Sequence, residues 1–313
     1  MSLQLPRHAT GGRGAIRRLL LLPVLGVSVV VLAGCGSENS DDWKQLAMPD
    51  PVTVQGKQTL DLWQGAWVAA LVTGLVVWGL IFWVVVRYRR RSDDEIPIQT
   101  RYNLPLEIFY TIAPIMMVIV FFQQTVETQN VLLERTDDPD QIIEVTAQQW
   151  SWTFNHGVGE VDYAADEESA DDEFPYAEYA YVAGTGSDIP TLVLPVGETI
   201  RFNLHSPDVI HNFGVPTFLF KMDVIPGRVN SFEITTKEEG FYAGKCFELC
   251  GVYHSRMLFN VDIVSPEKYD AYVETLVEEG QVSPTPLLGG EYADSQVGLD
   301  SGPEEDDSEG AQE

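Results

Sequence analysis

Between Trp63 and Val86 the chain runs 24 residues without one charged side chain. As a helix that stretch is about 36 Å long at 1.5 Å per residue, enough to cross a bilayer with some tilt. Trp63, Trp67, Trp78 and Trp83 lie within it. A second apolar stretch, Ile108–Phe122, is opened by Glu107 and contains Pro114. Alone it is ambiguous, but it makes sense as the return arm of a hairpin, with helices expected at about 63–86 and 107–126. The connecting loop carries Arg87, Arg89, Arg90, Arg91 and Arg101. Basic loops stay on the cytoplasmic side, so the N-terminus and everything after residue 126 are expected on the outer face of the cytoplasmic membrane.

A third apolar stretch, Leu19–Ala33, follows Arg13, Arg17 and Arg18 and ends in Leu32-Ala33-Gly34-Cys35. A basic start, a short apolar run and small residues before a cut describe a secretory signal peptide. Its 15 residues are short for a transmembrane helix. Cysteine after Leu-Ala-Gly resembles a lipobox, so residues 1–34 are expected to be removed and Cys35 lipidated. Residues 35–62 are then an outer N-terminal segment that leads into the hairpin, 63–126.

Charge divides the rest. Residues 1–106 hold 11 Lys and Arg against 8 Asp and Glu; residues 107–313 hold 8 against 39. Phosphate would be repelled, so nucleic-acid binding is excluded as a function class. Only 6 of the 19 basic residues are lysine. That acid excess suits a surface kept soluble in high salt, as in a halophile's protein.

From about Gln141 to Val264, within a domain expected over 127–265, the pattern is of short β-branched or alternating runs. These are Ile142–Thr146, Thr191–Leu194, Thr199–Leu204, Ser231–Ile234 and Met257–Ile263, broken by Pro195, Gly197, Pro207, Gly227 and Gly240. Such spacing predicts an all-β sandwich or barrel. The acidic stretch Asp166–Glu173 is expected to be a surface loop. Tyr269, Tyr272 and Leu276 predict a C-terminal helix over 266–281. Residues 282–313, made of Gly, Pro, Ser and acids, are expected to be a disordered acidic tail.

Chemistry concentrates between Cys246 and Met257. Cys246, Cys250, His254 and Met257 fall within 12 residues, and His211 lies 35 residues upstream of Cys246. Thiolates and a thioether are soft donors that favour copper, and imidazole suits it too. One Cys, two His and a weak Met would hold a single blue copper. A second Cys on the same loop suggests two bridged metals. A disulfide is the plainer reading in an oxidising compartment, but it leaves both histidines and the methionine without a role. Zinc of the Cys2His2 kind has no use for the methionine. His156 and His205 have no such company, and a packing role is expected for them.

The motif Cys-x-Glu-x-Cys-Gly-x-x-His-x-x-Met resembles that of subunit II of haem-copper terminal oxidases of the cytochrome c oxidase type. Segments Gln149–Trp152, Asp208–Phe213 and Asp223–Arg228 are similar as well. The resemblance covers about residues 60–270 and implies a transmembrane hairpin followed by a cupredoxin-like sandwich. It implies that His211, Cys246, Cys250, His254 and Met257 hold a dinuclear CuA centre by side chain and that the Glu248 carbonyl completes it. The Glu248 carboxylate would help bind Mg2+ or Mn2+ shared with subunit I. Trp150 would be the electron-entry residue, and Glu107 would stand at the mouth of a proton channel. Asp208 would help dock the donor or form a strand-end hydrogen bond. The implied partners are subunit I with its haem and CuB, subunit III, membrane lipid, and cytochrome c or a blue-copper protein as donor. Phe213 departs from a common Trp and Phe247 from a common small residue. A nitrous-oxide-reductase-like enzyme would lack the hairpin, and a quinol oxidase subunit would lack the ligands. A free-standing copper carrier would give Glu248 and Glu107 no purpose.

Overall fold

A computed structural model describes residues 45–92, 96, 98–162, 174–185 and 187–289. The expected signal segment, Cys35, the Asp166–Glu173 stretch and everything after Gly289 lie outside these residues.

Two long helices come first, α1 (Gly56–Arg87) and α2 (Leu104–Leu132). Both are long and apolar enough to cross a membrane, and in the isolated chain their apolar side chains face outward, Leu75 at 78% exposure. They are longer than the apolar runs because polar contacts extend each end. The Thr53 hydroxyl accepts from Gly56 N at 3.0 Å, and Lys57 pairs with Asp61 one turn on at 2.8 Å. At the start of α2, Asn103 accepts from Leu106 N, while the Glu107 carboxylate accepts from Asn103 N at 2.9 Å. This is a reciprocal cap. Beyond the apolar run of α2, Gln123 bonds Glu127 along the helix.

The rest is a sandwich of two sheets. The first sheet orders its strands β11-β3-β2-β1-β5-β8, using β1 (Gln141–Gln148), β2 (Ser151–Val158), β3 (Glu178–Ala183), β5 (Thr199–His205), β8 (Asn230–Thr235) and β11 (Val282–Ser283). The second orders β4-β10-β9-β6-β7, using β4 (Thr191–Pro195), β6 (His211–Val215), β7 (Phe220–Val224), β9 (Gly240–Cys246) and β10 (Leu258–Val264). β1 runs parallel to β5 and antiparallel to β2. Alternate residues of both sheets point into one core, where Phe202, Phe213, Phe232 and Phe259 stack with ring centres 4.9–5.9 Å apart. Trp152 packs edge-on against Phe213 and Phe259. Each such ring, once buried, contributes about 1.5–3 kcal/mol. Phe213 sits at the centre of this cluster, 1% exposed.

Five strands coincide with the runs expected from sequence. The other six were not singled out; on the first sheet one reason is that its outer face is covered too. On β2 the neighbours Asn155 and His156 point to opposite sides of the sheet, and both are nonetheless fully buried. α3 (Pro266–Glu278) covers His156, its Tyr269 hydroxyl 3.1 Å from His156 Nδ1. Burial of the ring pushes His156 down to a pKa of about 4. His205 likewise has a structural partner, the buried carboxylate of Glu144 at 2.6 Å.

On sequence the acidic tail begins at Val282. In the structure Val282 and Ser283 pair with Ala180 and Tyr179 instead, and the chain continues as a strap across the first sheet. Leu287 N donates to Asn155 Oδ1 at 2.8 Å, and Leu287 O accepts from Asn155 Nδ2 and from Thr146 Oγ1. The strap is held by backbone pairing with buried polar side chains, which leaves no apolar period to read. Gly289, at φ +80°, ends it so close to Gln148 and Pro207 that a Cβ would fall 2.5 Å from Gln148 Oε1. The C-terminal helix is correspondingly shorter than expected, ending at Glu278.

Both helices are stitched to the sandwich. Before α1, Val52 N bonds Thr217 O, Val54 N bonds Thr235 O, and Gln55 Oε1 accepts from Thr235 N. After α2, Thr136 donates through N and Oγ1 to Glu233 Oε2, at 2.9 and 3.2 Å. Arg201 holds the other oxygen of that carboxylate at 2.8–2.9 Å and also donates to Thr136 O.

Candidate metal centre

Chain leaving β1, β5 and β9 and entering β6 gathers at one end of the sandwich. His211 opens β6 and Cys246 closes β9, and the register sets Cys246 opposite Phe213 on the neighbouring strand. After Cys246 the chain turns through Cys250 and the 3-10 turn His254–Arg256 to Met257. Cys246 N then bonds Met257 O at 3.0 Å, closing the loop on itself.

The loop brings five side-chain donors together. The two Sγ atoms are 3.9 Å apart. That is nearly twice a disulfide bond, and both thiols are free. His211 Nδ1 lies 4.0 Å from Cys246 Sγ, and His254 Nδ1 lies 3.5 Å from Cys250 Sγ. Met257 Sδ is 3.7 Å from Cys250 Sγ. The Glu248 carbonyl is a sixth donor, 3.1 Å from Cys246 Sγ. His211, Cys246, Cys250 and Met257 are buried, and donor atoms of the first three lie within 4.8 Å of one another.

The electrostatics favour a cation here. Burial alone would raise the Cys246 thiol, but the hydrogen bond and charge of His211 bring it below its usual value. Burial and the neighbouring Cys246 push Cys250 up to about 12. Two thiolates so close cannot both form unless positive charge sits between them. Metal binding supplies that charge and releases the protons. Two soft sulfurs, a thioether and two imidazoles fit copper, and six donors are enough for two ions that share the sulfurs.

Asp208 sets the orientation of His211. Its Oδ1 accepts from His211 Nε2 at 2.8 Å, which turns Nδ1 toward the sulfurs. Burial opposes ionisation of Asp208, but hydrogen bonds from His211, Gln149 N and Val209 N keep its carboxyl below the usual range. This is the carboxylate–histidine pairing common behind metal ligands. Gln149 opens one of the similar segments, but nothing in the sequence assigned it a role. Its backbone N donates to Asp208 Oδ2 at 2.7 Å and its side chain donates to Cys250 O at 2.5 Å, which ties the Trp150 turn to the ligand loop. The Gln149–Trp150 peptide is cis.

Trp150 stands beside the loop, its ring edge-on to Tyr253 at 5.0 Å. Gly251, at φ +130°, makes that approach possible, because a Cβ there would lie 2.9 Å from the indole. Around it Leu249 and Val252 are exposed at 77% and 83%. The Glu248 side chain also faces solvent. Glu107 is remote in role: its carboxylate caps α2.

Residues 141–264 match the family model for the periplasmic domain of cytochrome c oxidase subunit II. A probable cytochrome c oxidase subunit 2 of Streptomyces coelicolor is 43% identical over 290 residues, covering 86% of this chain and 90% of that protein. The chain belongs to the cytochrome c oxidase subunit II family. Another subunit 2, from Mycobacterium bovis, is 35% identical over 87% of this chain and 86% of its own length. The periplasmic domain of subunit II of cytochrome oxidase (CoxB) of Bradyrhizobium japonicum is 26% identical, with a TM-score of 0.36 over 45% of this chain and 96% of that one. This subunit II is therefore part of an oxidoreductase complex. Its sandwich domain follows two apolar helices and carries a copper site of the CuA type.

Proposed function

We propose that this subunit receives single electrons on the outer face of the cytoplasmic membrane and passes them to haem in subunit I, where dioxygen is reduced to water. The observation that carries the reading is the pair of free sulfurs 3.9 Å apart, flanked by His211 Nδ1, His254 Nδ1 and Met257 Sδ. Copper bound there supplies one-electron redox chemistry. The protein holds the donors still and excludes water. Cys246 and His211 are gripped by β9, β6 and the Asp208 hydrogen bond, and Cys250 by the Gln149 amide, so little needs to move when charge changes. Trp150 and the exposed Leu249 and Val252 form the face that meets the donor, a cytochrome c or a blue-copper protein. The Glu248 carbonyl faces the sulfurs and its exposed carboxylate is free to share Mg2+ or Mn2+ with subunit I. Glu107 uses one oxygen to cap α2, which leaves the other for a proton path into subunit I. Cys35 adds a lipid anchor, and subunit III completes the assembly.

The test is copper loading of the full chain in detergent, followed by metal analysis and EPR. Two coppers per chain and a seven-line hyperfine pattern are expected. A four-line spectrum with one copper would show that the second thiolate does not bridge and would return the site to the blue-copper class. Co-purification with a haem protein tests the oxidase assembly separately.

A further inference from the structure

Gln149 stands between the indole of Trp150 and two of the metal ligands. Its backbone N donates to Asp208 Oδ2 at 2.7 Å, and Asp208 Oδ1 accepts from His211 Nε2 at 2.8 Å. Its side-chain amide donates to Cys250 O at 2.5 Å. One residue thus reaches the ligand that opens β6 and the ligand in the middle of the loop after β9. Asp208 is itself held, accepting from Val209 N at 2.6 Å and from Ser206 Oγ at 3.2 Å. The circuit closes at Gly251. A Cβ there would fall 3.0 Å from Gln149 Nε2 and 2.9 Å from the Trp150 ring. Amide and indole therefore both lie against the residue that follows Cys250.

The contacts of Trp150 differ in what they fix. Tyr253 meets it edge-on with ring centres 5.0 Å apart. Aromatic pairs are favourable over separations of about 4.5–7 Å, so this contact alone leaves the indole room to shift. Hydrogen bonds weaken steeply once they lengthen or bend. The two from Gln149, one peptide away from Trp150, fix both distance and direction.

We propose that Gln149 is a positioning residue for electron entry, holding the Trp150 indole at a set distance from Cys250 and His211. The proposal rests on the function given above, in which Trp150 meets the donor. The step it serves moves one electron. The reduced donor loses it and the metal centre gains it, and no bond or proton changes place. Such a transfer depends steeply on the gap to be crossed, so a loosened indole slows it without changing how the donor binds. The ligand loop keeps its own closure, Cys246 N on Met257 O at 3.0 Å, and holds its metal without Gln149.

The experiment uses the copper-loaded oxidase complex with the natural subunit and with Gln149→Met, Gln149→Asn and Trp150→Phe. Met keeps the length and loses the donor; Asn keeps the amide and loses the reach. Electron entry from a reduced soluble c-type cytochrome is followed by rapid mixing. At saturating donor both Gln149 variants are expected to slow entry about tenfold, the lower end for loss of a partner behind a metal ligand. KM, copper content and the seven-line EPR pattern are expected to stay as they are. In the Trp150→Phe background, Gln149→Met is expected to add nothing further, because a residue that acts through another has no effect once that one is gone. A second readout needs no metal. The full copper-free chain in detergent is labelled with 5-fluorotryptophan, and the Trp150 19F signal is assigned by its absence in Trp150→Phe. That signal is expected to shift or broaden in both Gln149 variants, and an unchanged signal would show that the indole is held without Gln149. Loss of the seven-line pattern, or slowing that adds to that of Trp150→Phe, would assign Gln149 to the copper site itself and overturn the proposal. Slow entry in Trp150→Phe with normal entry in both Gln149 variants would overturn the proposal alone. Normal entry in Trp150→Phe would take down the role of Trp150 as well.

Discussion

At the scale of single residues, the ligands were readable and their supports were not. Asp208→Ala removes the acceptor that turns His211 Nδ1 toward the sulfurs. Copper affinity is expected to fall about 10- to 100-fold, the usual cost of losing a carboxylate behind a metal-bound histidine. Competition against a chelator measures it, and unchanged affinity would remove Asp208 from the site. Gly251→Ala puts a methyl 2.9 Å from the Trp150 indole at a φ of +130°. A loss of about 1–3 kcal/mol is expected from the backbone strain alone, read as a lower melting temperature in detergent together with altered Trp fluorescence. His211, Cys246, Cys250, His254 and Met257 were legible because five soft or imidazole donors in that spacing have few other uses. Gln149 was not, since an amide that ties two loops looks on sequence like any surface glutamine. The role of Asp208 was half legible: a hydrogen bond at a strand end was foreseen, but its partner depends on the fold.

At the scale of elements, the outer face of the first sheet decides most of what sequence missed. β2 reads poorly as a strand because Asn155 and His156 interrupt its alternation, and both are buried under later chain. Asn155→Ala leaves Leu287 N without its side-chain partner, while Leu287 O keeps Thr146 Oγ1, and a polar group so abandoned costs about 1–3 kcal/mol. Limited proteolysis is expected to cut within 281–289 in this variant while the sandwich survives, and resistance there would mean that β11 and Thr146 hold the strap without it. His156 gives a pH dependence with a definite sign. Its folded pKa is about 4, against about 6.5 in the unfolded chain. Below pH 6.5 the unfolded chain gains a proton that the folded chain refuses. Stability therefore falls as pH drops from about 6.5 toward 4, by up to roughly 3 kcal/mol. Thermal unfolding at pH 7 and pH 5 should show this loss in the natural chain and a much smaller one in His156→Gln. The helices, by contrast, were legible in number and position, and only their polar ends, fixed by Thr53, Asn103 and Glu107, lay beyond the apolar runs.

For the whole molecule, the question is how a membrane hairpin carries a copper domain. Arg201→Met leaves Glu233 buried without its cation, and an expected loss of about 3–5 kcal/mol follows from one orphaned charge. The double variant Arg201→Met with Glu233→Leu removes both charges and should regain most of that stability. It still lacks the carboxylate that holds Thr136. A protease site opening between residues 133 and 140 in an otherwise stable double variant would show that the pair secures the linker more than the core. The attachment has a mechanical side. β8 is an edge strand, and it receives both helices: residues 54 and 55 bond Thr235 at one end, and Thr136 bonds Glu233 two residues earlier. A third anchor, Val52 N on Thr217 O, lies between β6 and β7 of the second sheet. Two anchors on one short strand and one off it act like a bracket, so twisting, sliding and rocking of the sandwich about β8 are all resisted. A partner that grips the helices then also sets where the metal end stands.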